Sequence, residues 1–384
     1  MRDAYKRGAM RSAEMGRVQA PSSFAYEWHG GDQLEALRIS WMTLQEAQQA
    51  SPMARTEWTQ AFVESYCRFD PQRVRVAAVF CDTSLEATIP LVQKGSLGFR
   101  FLEFLSSDEL YEPTELLCNG DKSLVALLDS VLKAFGQPIV LERYPANEAS
   151  LLAITSKLRH AYKVRCRARP PSPSVSLGPD PEQVLNAGRR SDLRRMRKRA
   201  EKRGKVTFEL LAPTESELPV LMETAVRIEA AGWKGDNQSA LLHDIAAKDF
   251  FDRYAVLAAR SGIFRMAFMY IDGQPVATQI MVECGDALWL LKIGYDEAFS
   301  DCSPGNLLMM EVIRYACRQQ LKSCEFLGSA ANWTRMWTNT EYATECVTIF
   351  PGRWSYLRHM ARIGLQRVLV KALAKASTRK KATT

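Results

Sequence analysis

The segment from Phe264 to Leu308 constrains the fold more than any other part of the chain. Asp272-Gly273, the preferred composition of a two-residue hairpin turn, separates two apolar runs that predict antiparallel strands. A second turn signal, Gly285-Asp286, precedes a third predicted strand, and Pro304-Gly305 then opens a predicted helix. A helix that begins on small residues directly after a strand leaves its first backbone N–H groups facing outward, where they favour an anion.

The 384 residues are enough for two domains, and both halves show a similar rhythm of strand and helix patterns. The fold class is therefore predicted as α/β (α+β), with mixed central sheets flanked by helices. In the first half, Leu37–Met42 is interpreted as a strand. The predicted divisions are a disordered basic lead over 1–30, a first domain over 31–168, a proline-rich linker over 169–179, a second domain over 180–352, and a basic amphipathic helix and tail over 353–384.

Composition narrows the setting of the protein. The formal net charge of +8 suits an anionic partner. Nine cysteines without a CxxC pair favour a reducing compartment, and no apolar run reaches the length of a transmembrane helix. The N-terminus has no apolar signal-peptide core, so the expected location is the cytoplasm or the inner face of a membrane. The four histidines lie far apart without metal-ligand spacing, and no metal site is expected.

Two basic segments leave alternatives open. Arg189–Lys205 holds ten Lys or Arg against two acidic residues. Three interpretations fit this run: a solvated helix face, an electrostatic collar for an anionic ligand, or a nucleic-acid site. Nucleic acid is disfavoured because no aromatic residue interleaves with the charges. The C-terminal helix from Arg353 either packs on its own domain or makes peripheral contact with an anionic membrane.

Five motifs in order carry a resemblance to a known family. The sequence resembles the GNAT-superfamily acyltransferases, and among them the CelD-like acetyltransferases associated with cellulose and exopolysaccharide biosynthesis, which are related to Fem-type peptidyl transferases. The motifs begin with the basic run Arg189–Gly204. The others are Ile228–Gly235, Asp272–Ala277, Lys292–Glu297 and Ser303–Gly305.

The resemblance implies tandem GNAT-like domains and an acyl-CoA-dependent N-acyltransferase. Acetyl-CoA or another acyl-CoA would be the co-substrate, without a metal. The acceptor would be a small-molecule amine, such as a sugar or an envelope or exopolysaccharide precursor. Two positions depart from the family pattern: Thr334 occupies the place of a lysine, and Ser303–Asn306 replaces a more glycine-rich phosphate loop.

Candidate catalytic residues follow from the chemistry of amine acylation, which needs a base, a donor toward the thioester oxygen and a proton for the leaving thiolate. Glu229 is predicted as the base or acceptor anchor, although a surface glutamate would look the same. Lys292 closes an apolar run, Tyr295 is predicted to protonate the thiolate, and Asp296 either takes part or caps a turn.

Candidate binding residues fall into two groups. The first group is predicted to contact pyrophosphate at the start of the helix and consists of Ser303, Pro304, Gly305, Asn306 and Leu307. The alternative is that these residues only begin a helix and bind no ligand. Trp233, Lys234 and Asp108 are predicted to contact the acceptor, with Asp108 and Glu112 reaching it across the domain cleft. There are two alternative functions: a Fem-type transferase that uses aminoacyl-tRNA, and a non-catalytic partner of a polysaccharide synthase complex.

Overall fold

The computed structural model describes residues 24–96, 99–146, 149–232 and 244–362. Over these ranges the chain forms a mixed α/β fold, with one large sheet flanked by helices. The strands are β1 Phe24–Gly30, β2 Val74–Cys81, β3 Ser84–Ser96, β4 Phe99–Phe104, β5 Leu117–Cys118, β6 Ile139–Pro145, β7 Lys163–Ser176, β8 Val206–Leu211, β9 Phe264–Ile271, β10 Gln274–Cys284, β11 Ala287–Tyr295, β12 Ser323–Glu325 and β13 Glu341–Phe350. The helices are α1 Leu34–Ala47, α2 Thr56–Ser65, α3 Asp121–Phe135, α4 Ala149–Lys157, α5 Ala187–Arg203, α6 Leu218–Ala230, α7 Ile245–Arg260, α8 Pro304–Arg318 and α9 over 353–362.

The two halves repeat one order of elements. Each contains a strand and two helices, then three antiparallel strands, and then a helix and a strand that pairs in parallel with the third strand of the three. In the second half, α5 precedes this series. The parallel pairs are β4 with β6 and β11 with β12. This repetition confirms the predicted tandem α/β architecture.

The halves exchange their last strands. The order across the sheet is β1-β2-β3-β4-β6-β13-β7-β12-β11-β10-β9-β8. The last strand of the second half, β13, therefore lies between β6 and β7 of the first half. In return, the end of β7 pairs with β12 of the second half. The exchange makes one sheet from two domains, so the predicted boundary at residue 180 does not separate two independent sheets.

The predicted linker over 169–179 differs from the structure because most of its prolines lie within β7. Pro170 and Pro171 fall at the point where the pairing of β7 with β13 shifts register, between Tyr342 and Thr344. A bulge tolerates proline because no ladder hydrogen bond is needed there. The proline run therefore marks an irregularity inside a strand rather than a flexible connection.

Two further predictions in the first half were wrong. Leu37–Met42 belongs to α1, whose buried residues Leu37, Trp41 and Leu44 recur at helical spacing. The end of the predicted lead, Phe24–Gly30, is the edge strand β1. Residues 1–23 and 363–384 lie outside the described residues, so the predicted disordered lead and tail stay predictions, whereas residues 353–362 are helical as expected.

The hairpin at Asp272-Gly273 is confirmed. Both residues adopt positive φ, 49° and 79°, as a two-residue turn of the type I′ kind requires. The Asp272 carboxylate also accepts a hydrogen bond from the backbone N–H of Lys205 at 2.6 Å, which ties the end of the basic helix α5 to the hairpin.

A shared apolar core joins the halves. Helices α1 and α2 of the first half pack against α6 and α7 of the second half in one buried cluster. Trp58 of α2 lies edge-on to Phe250 and Tyr254 of α7, with ring centroids 4.8 and 5.0 Å apart. Because this interface is apolar and continuous, it fixes the position of first-half residues relative to the second-half sheet.

Candidate active site

A cavity opens where β11 and β12 separate. The two strands pair in parallel only from Ala287 to Trp289, and β11 then continues without that neighbour to Tyr295. A bulge between Ile280 and Met281 in the β10–β11 pairing lies in the same region. Bulges bend a strand and redirect its side chains. The resulting cavity has a volume of about 630 Å³ and is lined by residues of both halves.

Glu229 lies in the wall of this cavity, at the end of α6, with only 4% of its surface exposed. Two glycines allow that position. A Cβ on Gly294 would lie 2.8 Å from the Glu229 Cα, and a Cβ on Gly232 would lie 2.7 Å from the Tyr295 carbonyl oxygen. The end of α6 therefore contacts the end of β11 backbone to backbone, and this contact positions the Glu229 carboxylate.

Lys292 and Tyr295 of β11 also line the cavity. The Lys292 ammonium lies 4.9 Å from the ring centroid of Phe251. The Tyr295 hydroxyl donates to the Glu297 carboxylate at 3.0 Å, and burial together with that hydrogen bond raises the pKa of the phenol. Tyr295 thus stays protonated at neutral pH, and the Glu297 carboxylate holds its hydroxyl in place.

Asp296 caps a turn, which was the alternative to a role in the chemistry. Its carboxylate accepts from the backbone N–H of Ala298 at 2.9 Å and caps the turn that follows β11. It is not among the residues that line the cavity. A role in the chemistry is therefore not supported by its position.

The start of α8 faces the cavity through Ser303, Gly305 and Asn306. Ser303 adopts a left-handed φ of 50°, and the N–H groups of Asn306 and Leu307 donate to its carbonyl oxygen. The N–H of Gly305 has no hydrogen-bond partner among the described residues. Pro304 is buried, the Leu307 side chain belongs to the second-half core, and neither residue lines the cavity.

The basic helix α5 packs beside this helix start. The Arg203 guanidinium donates to the Ala298 carbonyl at 2.7 Å and to the Asp301 carboxylate at 2.6 Å, and it lies over the Phe299 ring. Arg199 donates to the Asp301 carbonyl. The helix is thus anchored on the turn that precedes Ser303, and its charge reinforces the positive end of α8.

Three buried polar atoms in the cavity wall have no hydrogen-bond partner among the described residues. They are the Thr278 hydroxyl, the Gln279 side-chain carbonyl oxygen and the Trp337 indole N–H. Each side chain is at most 3% exposed. Because a buried polar atom without a partner is costly, these three atoms are candidates to hydrogen-bond a polar ligand or water in the cavity.

Glu112 was predicted to reach the acceptor across the domain cleft, whereas Arg143 was not predicted to take part. Both residues belong to the first half. The Glu112 carboxylate accepts from the Gly328 N–H at 3.1 Å, and Arg143 donates to the Gly328 carbonyl and to Ser172. Burial raises the pKa of Glu112, although Gly328 and the charges of Arg143 and Lys292 act in the opposite direction. The signal for Arg143 was a charge inside the apolar strand that begins at Ile139.

Other predicted residues are not brought to the cavity. Asp108 lies at the surface, 3.1 Å from the Lys94 ammonium, and does not line the cavity. Trp233 and Lys234 lie outside the described residues. Thr334 is buried, and its hydroxyl donates to the Ala331 carbonyl at 2.8 Å and accepts from the Ala331 N–H at 3.0 Å.

A second cavity of about 310 Å³ lies next to the same elements. It is lined by Trp289, Glu325 and Pro113, whereas the next residues of β11 and of the chain after β12, Leu290 and Phe326, line the first cavity. Consecutive residues of a strand point to opposite faces of the sheet. Leu290 and Leu291 both line the first cavity, so that cavity reaches both faces of the sheet, and the second cavity adjoins it on the face of Trp289.

No helix in the described ranges is both long and apolar enough to cross a membrane. Among the same residues, no group of three or more His, Cys, Asp or Glu side chains is arranged to hold a metal ion.

Comparison with known proteins agrees with this architecture. Residues 187–335 match the family model described as Acetyltransferase (GNAT) domain. The crystal structure of FemX is similar, with 12% sequence identity and a TM-score of 0.56, and the alignment covers 85% of this chain and 97% of that one. The C-terminal domain (DUF2156) of a putative lysylphosphatidylglycerol synthetase from Agrobacterium fabrum is 11% identical, with a TM-score of 0.53, covering 85% and 96%.

L-PGS from Bacillus licheniformis is 11% identical with a TM-score of 0.50, covering 87% of this chain and 96% of that one. At these identities the likeness shows the fold alone. No curated protein matches the sequence. The family match covers β8 to β12, the start of α8 and most of the residues that line the cavity, so residues 187–335 are similar to a GNAT acetyltransferase domain and support acyltransferase activity.

Proposed function

We propose that the protein is an acyl-CoA-dependent N-acyltransferase that transfers an acetyl or longer acyl group directly to an amine. The observation that carries this proposal is the cavity at the β11–β12 gap, which combines an N–H-bearing helix start with unpartnered polar atoms deeper in its wall. The helix start at Gly305 suits a pyrophosphate. The Thr278, Gln279 and Trp337 atoms suit the amides of a pantetheine arm, which offer both donors and acceptors.

The reaction needs only groups that the cavity supplies. The amine nitrogen forms a bond to the thioester carbonyl carbon, and the carbon–sulfur bond breaks. Glu229 or Glu112 accepts the ammonium proton, so that the neutral amine attacks. Tyr295, held by Glu297, delivers a proton to the leaving thiolate, and the second proton that the nitrogen loses returns to the Tyr295 oxygen directly or through solvent. The products are an amide and the free thiol of the donor, and no covalent enzyme intermediate is required.

The second cavity, which adjoins the first, is the proposed site of the acceptor. Trp289 in the second cavity offers an aromatic surface for a sugar ring, and Glu325 offers a carboxylate for its polar groups. These features support an amino sugar or a related envelope or exopolysaccharide precursor as the acceptor. The CelD-like subfamily suggested by the sequence motifs is part of this proposal.

Calorimetric titration with acetyl-CoA and longer acyl-CoAs tests the donor. We expect micromolar binding that is lost in Gly305→Asp, because the new carboxylate places a like charge against the phosphates. Gly178→Asp is the matched control, since a Cβ there meets no atom within 4 Å and Gly178 lies outside the cavity. Wild-type protein that binds no acyl-CoA would overturn the proposal.

One observation favours a second donor. The position of α5 against the turn before Ser303 would also suit the phosphates of an aminoacyl-tRNA, as in a Fem-type transferase. The same titration with an aminoacylated RNA end separates the two donors. Binding of the RNA that weakens steeply with salt, without binding of acyl-CoA, would favour the Fem-type alternative.

A further inference from the structure

A basic pocket lies on the sheet face of the first half that its core does not occupy. Strand β7 alternates along its length: Val164 and Cys166 pack against the first-half core, whereas Arg165 and Arg167 line a cavity of about 300 Å³ on the other face. Their partners across the strand pair are Thr348 and Cys346 of β13. The period-two pattern of the sequence thus produces a row of arginines beside one cavity.

Helix α9 covers one side of this pocket. His359 stacks on Phe99, with ring centroids 5.5 Å apart, and the Arg362 guanidinium lies over the same ring at 4.6 Å. Phe99 and Phe101 supply the apolar part of the lining. The pocket therefore combines three arginines from two separate elements with an aromatic wall.

The charges in the pocket are not balanced. Arg169 is paired with Glu142, and Glu103 is paired with Lys94 at 2.7 Å. In the described part of the chain, Arg165, Arg167 and Arg362 have no carboxylate partner. Burial, and then the charges of Arg165, Arg362 and Arg167, lower the pKa of His359.

We propose that the pocket formed by Arg165, Arg167, Arg362, Phe99 and Phe101 binds the phosphate group of an organic phosphate ester. Guanidinium groups bind phosphate with two parallel hydrogen bonds, and three of them line this pocket, whose two carboxylates, Glu103 and Glu142, are paired with Lys94 and Arg169. The cavity is of the size of a small ligand site, and its two phenylalanines suit the organic part of the ester. This inference does not rest on the proposed acyl transfer.

The surface of α9 favours a phospholipid headgroup over a soluble ester. Trp354 and Leu357 lie about one helical turn apart and are 73% and 45% exposed. Exposed apolar residues beside arginines on one helix are typical of a helix that rests at a membrane surface. The predicted peripheral membrane contact of the C-terminal helix would then place the pocket at the headgroup level.

The test measures binding to two phosphate sources. The full-length protein is sedimented with vesicles of phosphatidylcholine, with or without phosphatidylglycerol, and titrated separately with glycerol 3-phosphate. We expect wild-type binding to at least one source, weakened about tenfold or more by Arg167→Glu and by Arg362→Gln, which change two different elements. Lys122→Glu is the control, because it makes the same charge change as Arg167→Glu at an exposed position on α3, which packs on the other face of the sheet.

The outcomes separate the sources. Binding only to vesicles that contain phosphatidylglycerol identifies a lipid headgroup, and binding to glycerol 3-phosphate alone identifies a soluble ester. Binding that falls equally in Lys122→Glu would show attraction by net charge only and would overturn the pocket, as would no binding to either source. Acyl-CoA titration of the same Arg167→Glu protein, expected to match wild type, distinguishes failure here from failure of the proposed function.

Discussion

Replacing Thr278 by valine tests whether the candidate cavity is built for a polar ligand. Thr278 lies on β10, is 3% exposed, and its hydroxyl has no hydrogen-bond partner among the described residues. Valine has nearly the same shape and β-branching, so the substitution removes the hydroxyl while preserving packing. The experiment therefore isolates one polar atom.

The expected magnitudes follow from the cost of an unsatisfied group. A buried hydroxyl without a partner costs about 1–3 kcal/mol, so the free energy of unfolding of Thr278→Val should equal or exceed that of wild type. A hydrogen bond to a ligand contributes about 0.5–1.5 kcal/mol, so the affinity for acetyl-CoA should fall by about 2- to 13-fold. Urea unfolding and calorimetric titration measure the two quantities.

Thr88→Val is the matched control. Thr88 is also buried on a strand, but its hydroxyl donates to the Ala77 carbonyl at 3.0 Å and it lies outside the cavity. We expect this variant to lose about 1 kcal/mol of stability and to keep the wild-type affinity. If Thr278→Val loses as much stability as Thr88→Val, or binds acetyl-CoA as wild type does, the assignment of the Thr278 hydroxyl to the ligand is refuted.

Three further predictions concern the walls of the cavity. Gly294→Ala should lower the free energy of unfolding by about 1–3 kcal/mol and reduce the rate of acyl transfer up to about 100-fold, because the new Cβ displaces Glu229; wild-type values in urea unfolding and kinetics would contradict this. In wild type, the free energy of unfolding should fall as pH rises above 4.5, because a group whose pKa is raised in the folded state stabilises the fold below its folded-state pKa and loses that contribution as pH rises through it. Glu112→Gln should remove this loss, and parallel pH profiles of unfolding for the two proteins would count against the assignment. Thr334→Val should lose about 1–3 kcal/mol in urea unfolding through its two hydrogen bonds to Ala331, and unchanged stability would show that these bonds contribute nothing.

Local sequence signals predicted the second half well because neighbouring strands in it are joined by short turns, so the residues that pair lie close together in the sequence. The Asp272-Gly273 turn sets the register of β9 and β10 by itself, and α8 begins at Pro304 as the sequence indicates. By contrast, Leu37–Met42 is short and apolar enough to fit either period. Helical spacing becomes visible only over a longer window, in which Leu44 follows Leu37 and Trp41.

The exchange of β7 and β13 could not be predicted from sequence. Strand pairing between residues about 170 positions apart leaves no local pattern, and the prolines near Arg169 resemble those of a linker. The same long-range contact hid part of the site. The sequence grouped Glu229, Lys292 and Tyr295 within the second half. Glu112 lines the cavity, and Arg143 binds the Gly328 carbonyl in its wall, only because the halves share one sheet and one core.

Thr334 shows why a departure from a family motif must be judged in three dimensions. At 2% exposure, a lysine in its place would bury a charge and lose both hydrogen bonds that close the turn from Ala331. That turn carries Trp333 in the cavity wall, and the turn therefore needs a small hydroxyl at this position. A cation is still present in the cavity, because Lys292 lines it and its charge acts on Glu112. The substitution thus changes how the wall is built and leaves the cavity with both a cation and carboxylates for acyl transfer.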